Sequence, residues 1–165
     1  MFYLDFEEKL EKFENERRSL QKISEDNGID ISSKLKSIQE KEKNELEKIY
    51  SNLSPWQIVK IARHPQRPKT KDYINNIFNN FMPLYGDRLY SEDSAVISGM
   101  AFLNNFPVLV IGTEKGNDMN SRIKHNFGMA KPEGYRKSQR VMKLASKLSL
   151  PLICFIDTSG AYPGK

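Results

Sequence analysis

Residues Asp157-Thr158-Ser159-Gly160-Ala161-Tyr162-Pro163-Gly164 place two glycines and a proline directly behind a short apolar run, Leu152-Ile153-Cys154-Phe155-Ile156. A backbone of this composition bends sharply and brings its N–H groups close to a neighbouring atom. Ser159, Gly160 and Ala161 offer N–H donors, and Thr158 and Ser159 add hydroxyls. Preorganised donors of this kind suit a developing oxyanion or a small polar group, and losing one typically costs on the order of 3 kcal/mol of barrier. In α/β proteins ligands bind outside the carboxyl ends of the strands, which is where such a loop would lie. The same residues also fit a plain strand-to-helix turn whose glycines only make the bend, and the residues alone leave both readings open.

Other chemistries find little support. His64 and His125 are the only histidines and stand far apart in sequence, and no Cys/His cluster has metal-ligand spacing. No G-x-S-x-G elbow, G-x-x-x-x-G-K-[ST] loop or G-x-G-x-x-G turn occurs. Tyr162-Pro163-Gly164-Lys165 resembles the end of a phosphate loop, but Gly160 lies only four residues before Gly164, so the spacing fails. Arg122, Lys124 and Arg136 are further candidates for anion contact, beside the plain alternative of solvated surface charge. Arg63 and Arg67, in the stiff basic turn Arg63-His64-Pro65-Gln66-Arg67-Pro68, carry the same pair of readings.

The charge balance fits either an anionic partner or a plain solvated basic surface. The net charge of +5 divides unevenly: residues 1–50 hold ten Lys/Arg against thirteen Asp/Glu, and residues 51–165 hold sixteen against eight. The second part therefore favours phosphates, a CoA-like molecule, nucleic acid or an acidic protein. Few aromatics lie beside its basic clusters, which counts against base stacking and so against nucleic acid. No apolar run reaches membrane-spanning length. The first residues are acidic early and lack an apolar h-region, so they do not read as a secretory signal. Cys154 is the single cysteine and reads as a buried thiol of a cytoplasmic protein.

The elements that must position these groups follow from periodicity. Phe6, Leu10, Phe13, Leu20 and Ile23 share one helical face, and Asn27-Gly28 ends that helix. A second helix starts near Ser32-Ser33 and carries Leu35, Ile38, Leu46, Ile49, Tyr50 and Leu53, giving a helical hairpin over residues 1–53. Its narrow stripe calls for cover from the main domain or from another subunit. Residues 54–93 read as connecting helices. Ser54, Pro55 and Gln57 make a capping box for one of them. Thr70 caps the next, whose apolar face is Ile74, Ile77, Phe78 and Phe81. From residue 94 the period becomes strand-like: a strand to Leu103, an Asn104-Asn105 turn, and a return strand from Pro107 to Gly112 that is apolar on both faces and so central. Residues 113–132 form a long polar loop, with a short helix near Met119 to Phe127. A helix over residues 133–149 turns Val141, Leu144, Ala145 and Leu148 inward. The strand at 152–156 then completes a βαβ unit, which implies parallel pairing.

Three stretches together carry a resemblance. Arg63 to Pro68, Asn126-Phe127-Gly128-Met129 with Pro132-Glu133-Gly134-Tyr135-Arg136-Lys137, and Asp157 to Gly164 resemble the alpha subunit of bacterial acetyl-CoA carboxylase carboxyltransferase, in the same order and across the whole chain. The resemblance implies an α/β, crotonase-like fold of ββα repeats, incomplete here and spanning 94–165. It implies transfer of a carboxyl group from carboxybiotin, on the biotin carboxyl carrier protein, to acetyl-CoA, giving malonyl-CoA for fatty acid synthesis. It also implies an α2β2 assembly with a zinc-containing beta subunit, no metal on this chain, and ATP used only by the biotin carboxylase component. By this resemblance Gly160 and Ala161 supply catalytic backbone N–H groups on the biotin side of a site shared with beta. Thr158, Ser159, Tyr162, Gly164, Arg122, Lys124 and Arg136 would contact substrate. Ser159 stands where that family usually has proline, which predicts a less rigid loop. The family continues for roughly another hundred residues, about a half-domain, and carries a further glycine-rich oxyanion segment there. The expectation is therefore an N-terminal portion, inactive by itself.

Overall fold

Residues that are apolar at every position of a strand need cover on both sides, and Val108 to Ile111 meet that demand. The computed structural model describes residues 2–27 and 30–164. Its contacts divide the chain into two units, residues 1–67 and 68–165, a boundary that falls within the 54–93 stretch.

The first unit is helical: a 3-10 turn at Asp5–Glu7, α1 at Glu8–Asn27, α2 at Ser32–Ser51 and α3 at Pro55–Ala62. The expected stop at Asn27-Gly28 falls partly outside the described residues, since Gly28 is not among them. Leu10, Ile31 and Ile38 are its buried apolar residues. Lys9 pairs with Glu45 at 2.9 Å, and the Tyr50 hydroxyl donates to Glu7, so the start of α1 lies against the end of α2. Burial and the neighbouring Glu7 carboxylate push the Tyr50 phenol up to about 12. Leu53 falls beyond the end of α2, not within its stripe. The capping box of α3 forms as its sequence predicts: Ser54 Oγ accepts the Gln57 N–H, and Gln57 accepts the Ser54 N–H at 2.7 Å. In the basic turn that follows, the Gln66 N–H donates to His64 Nδ1, so Nε2–H is the donor to the Phe2 carbonyl.

The second unit is a small mixed α/β sheet. Its elements are α4 (Thr70–Ile77), β1 (Asn79–Pro83), β2 (Val96–Leu103), β3 (Phe106–Thr113), α5 (Met119–Lys124), a 3-10 turn at Asn126–Gly128, α6 (Pro132–Leu148) and β4 (Leu152–Phe155). The strand order is β1-β2-β3-β4. β1 and β3 pair antiparallel with β2, and β4 pairs parallel with β3. Leu109 and Ile111 pack with Val96, Val141 and Ala145 on the α6 side. Val108 and Val110 pack with Ile74, Phe78 and Ala101 on the α4 side. Phe155 joins the second layer, with the Tyr73 ring stacked on it at 5.6 Å and Phe78 edge-on at 6.2 Å. The 104–105 turn has Asn104 at φ 54, a conformation asparagine adopts with little strain.

Several expectations are corrected. Phe81 lies in β1, not on the α4 face. The helix stops at Ile77, and the Phe81 ring instead fills the space a side chain at Gly99 would need, 2.5 Å from an ideal Cβ there. Ile77 is exposed. Lys69, not Thr70, is the N-cap residue of α4. The Thr70 hydroxyl donates to the Thr113 carbonyl at 2.5 Å, and its methyl lies over Gly112, so this threonine ties α4 to the end of β3. Leu148, in the last turn of α6, is 45% exposed and does not face inward. Cys154 is exposed, not buried, since α6 packs over β2 and β3 and leaves that face of β4 open.

Leu109 is fully buried in the α6 layer. Leu109→Ala is expected to destabilise this unit by about 2–5 kcal/mol, through lost transfer energy and the cavity left behind. A urea unfolding curve with unchanged slope and a lower midpoint checks it.

Candidate functional site

The loop after β4 is anchored at its root and open at its tip. Parallel pairing brings the ends of β3 and β4 side by side, with Gly112 opposite Phe155. Thr113 Oγ1 accepts the Asp157 N–H at 2.7 Å, and Lys115 Nζ meets Asp157 Oδ1 at 2.5 Å. The Thr158 hydroxyl is shared between the carbonyls of Gly128 (3.3 Å) and Gly160 (3.0 Å), and it accepts the Gly160 N–H at 3.3 Å. Tyr162 lies under the Lys131 ammonium, 5.6 Å from its ring centroid, and its ring packs against Gly164. Residues 158–164 are all exposed. No hydrogen bond among the described residues uses the N–H of Ser159 or of Ala161, so both donors are available to an incoming acceptor. Gly160 sits in open space, with nothing within 4 Å of an ideal Cβ.

The segment 113–131 forms the other bank. Asp118 caps α5 by accepting the Ser121 N–H at 3.0 Å, and that hydrogen bond first, then the Ser121 hydroxyl, holds its carboxyl below the ordinary range. Arg122 and Lys124 lie in the last turn of this short helix. His125 is buried, with Nδ1 against the Ser94 carbonyl at 2.5 Å and Nε2 3.1 Å from Lys71 Nζ. Since an ammonium only donates, Nε2 accepts from Lys71 and Nδ1–H donates to the Ser94 carbonyl. Glu114 is also buried. It accepts the N–H groups of Gly116 (2.8 Å) and Lys71 (3.0 Å) and so fixes the start of this segment.

The sequence candidates therefore separate into three places. Thr158, Ser159, Gly160, Ala161, Tyr162 and Gly164 form the loop itself, joined to 128–131 by Thr158 and Tyr162. Arg122 and Lys124 share the last turn of α5, and of the two Lys124 lines a cleft with Lys71 and His125. Arg136 is bound to Asp87, Nε to Oδ2 at 2.7 Å. Sequence reasoning missed Thr113, Lys115, Lys131 and the Lys71–His125–Glu114 group. A threonine closing one strand and an aspartate closing its neighbour were the available signal for the first anchor. The others pair residues far apart in sequence, and nothing in their spacing announces them.

Asp87 organises the segment that Arg136 reaches. Its Oδ1 accepts the N–H groups of Tyr90 (2.8 Å), Leu89 (3.0 Å) and Ser91 (3.0 Å). These bonds, the Tyr90 N–H foremost, together with Arg136 outweigh burial and hold its carboxyl well below its ordinary value of 3.8.

The family model described as acetyl co-enzyme A carboxylase carboxyltransferase-like matches residues 3–165. The chain belongs to that family. It is 50% identical over 162 residues to the acetyl-coenzyme A carboxylase carboxyl transferase subunit alpha of Gluconacetobacter diazotrophicus, covering 98% of this chain and 51% of that protein. It is 51% identical over 164 residues to the subunit of the same name from Francisella philomiragia, covering 99% and 51%. The chain thus spans about half the length of the curated relatives it matches. Among solved structures it is similar to the beta subunit of P. aeruginosa geranyl-CoA carboxylase, with TM-score 0.46, 16% identity, and 66% of this chain and 22% of that one covered. A single-chain, multi-domain long-chain acyl-CoA carboxylase gives TM-score 0.46 and 16% identity, with 74% and 14% covered. No helix among the described residues is long and apolar enough to cross a membrane.

A carboxylate whose folded-state pKa is lowered contributes stability that is complete well above its unfolded value and is lost as the pH falls through and below it. Asp87→Asn is therefore expected to lower the melting temperature of residues 68–165 at pH 7. The gap to the wild type should narrow below about pH 4, where the unfolded carboxylate also takes up its proton. Thermal melts of both proteins between pH 7 and pH 3 check it, and a gap independent of pH would show that the charge contributes nothing.

Proposed function

We propose that this chain contributes to the carboxyltransferase half-reaction of acetyl-CoA carboxylase, moving a carboxyl group from carboxybiotin to acetyl-CoA to give malonyl-CoA for fatty acid biosynthesis in the cytoplasm. The family match over residues 3–165 carries this reading. The partners are a zinc-containing beta subunit, in an α2β2 assembly, and the biotin carboxyl carrier protein. The architecture extends the small mixed sheet into crotonase-like ββα repeats, preceded by an N-terminal helical hairpin.

The chemistry asks for stabilised oxyanions. Transfer needs an enolate on acetyl-CoA, and it leaves negative charge on the ureido oxygen of biotin as the carboxyl group departs. The Ala161 N–H, without an intramolecular partner among the described residues, suits the ureido oxygen, with the Gly160 N–H beside it, held at 3.3 Å by Thr158 Oγ1; the Ser159 N–H is an extra donor where the family usually has proline. Donors of this kind are effective where water is excluded. Residues 158–164 are exposed, so on this reading the beta subunit or the carrier's biotin covers them. Asp157, fixed by Thr113 and Lys115, sets where the donors stand. Thr158 braces the loop against Gly128, and Tyr162 and Gly164 form its far side. Arg122 and Lys124 add positive potential along the approach, and Arg136 acts through Asp87 on the neighbouring segment.

The test has two arms. Co-expressed with a tagged beta subunit, the chain should co-purify with it. In a full-length curated relative with its own beta subunit, proline at the position matching Ala161 removes that N–H. This should lower carboxyl transfer, read as malonyl-CoA-dependent carboxylation of biotin, by about 10²–10³-fold with the assembly intact. Failure to bind beta, or full activity of the proline variant, would overturn the respective part of the reading.

A further inference from the structure

Between α4 and the start of β2, residues 68–165 surround a cleft of about 370 Å³. That volume lies in the range of small-molecule sites, roughly 300–1,000 Å³. Much of its lining is apolar, with Ile74, Phe81, Leu84 and Ile97 among the contributors. Its charge is not neutral. The lining carries Lys71, Lys124 and Lys137 but a single carboxylate, Glu92. Glu92 is already engaged, by the buried Lys137 ammonium and the Gly86 N–H. Among the described residues Lys71 Nζ bonds only to His125 Nε2, which takes one of its three donors and is no carboxylate partner. The nearby buried carboxylate, Glu114, accepts the Lys71 main-chain N–H rather than its ammonium. Lys124 makes no ion pair among the described residues.

An apolar cleft with uncompensated ammonium groups at its wall matches one ligand chemistry. We propose that this cleft binds a small amphipathic anion, a carboxylate or phosphate head on Lys71 and Lys124 with a short apolar body against Ile74, Phe81, Leu84 and Ile97. Lys71 and Lys124 are exposed at the cleft wall, so a charged head can meet their ammonium groups while its apolar body enters the cleft; a neutral molecule would forgo that contact, and a small hydrophilic anion would leave the apolar wall in water. The cleft is lined by none of the residues 157–164, and Lys124 alone enters both readings, so each can fail without the other.

The probes are hexanoate and hexyl phosphate, with hexan-1-ol and acetate as half-matched controls, titrated into the whole chain and followed by amide NMR shifts. Each matching anion should saturate one site, shift amides of α4 and the start of β2, and bind about tenfold or more tighter than either control. Lys71→Met should weaken both anions about tenfold or more and leave hexan-1-ol unchanged. Asn75→Trp, from an exposed position on α4 at the cleft wall, should block all of them while the fold is retained. Binding of only one anion supports the site and identifies its head group. Absence of saturable binding at millimolar concentration, shifts confined to other elements, or unaltered affinity in Asn75→Trp would overturn the proposal.

Discussion

The constraint on which residues 68–165 depend is the burial of β3 on both faces. Leu109 and Ile111 point to α6, while Val108 and Val110 point to α4. A strand of this kind needs a layer on each side and a partner on each edge. The hairpin supplies one partner across a two-residue turn. The other, β4, pairs parallel, and parallel pairing cannot be reached without a long crossover, here α6. That crossover brings the ends of β3 and β4 together, so Thr113 and Asp157 are neighbours although 44 residues separate them. The position of the loop is thus a consequence of sheet topology, not of the loop's own residues.

The division between a fixed root and an open tip follows from where hydrogen-bond partners exist. At the root, main chain and side chains from three segments converge: Thr113, Lys115 and the Gly128 carbonyl. Beyond Gly160 the main chain makes no hydrogen bond among the described residues. A loop that satisfied all its own donors could not bind an oxyanion, and one with no anchor could not hold donors in place. Close contact elsewhere keeps the root where it is. Gly134, in the first turn of α6, leaves room for Asp93, whose Oδ2 would lie 2.4 Å from an added Cβ. Asp93 in turn accepts the N–H groups of Lys131 and Ala95, joining the start of α6 to the start of β2.

The β2–β3 hairpin, α6 and β4 were legible because each has a strong local signature: a two-residue Asn-Asn turn, an amphipathic period after Pro132, and a charge-free run after Pro151. β1 was not. Ile74, Ile77, Phe78 and Phe81 fit a helical spacing of three and four, but only the close approach to Gly99, a tertiary contact, puts Phe81 in a strand. Cys154 misled for a related reason, because an apolar run shows that a strand has been made for burial and not how far a helix covers it. Of the candidate site, the loop and its donors could be read from the residues. The Lys115–Asp157 and Lys131–Tyr162 contacts could not, since long flexible cations carry no spacing signal for partners across the fold.

The acidic residues of this unit sharpen the argument from charge. Of its eight Asp and Glu, six accept main-chain N–H groups: Asp72, Asp87, Glu92, Asp93, Glu114 and Asp118. Three of these, Asp87, Asp93 and Glu114, are buried. Their charge goes to holding loops and helix starts in place, where several N–H dipoles converge on each carboxylate. A seventh, Asp157, faces Lys115. Most of the lysines and arginines, by contrast, are exposed or half-buried. Pairing an acid with a base removes one of each, so Lys115–Asp157, Arg136–Asp87 and Lys137–Glu92 leave the excess of basic groups unchanged, and it resides on the exposed and half-buried lysines and arginines.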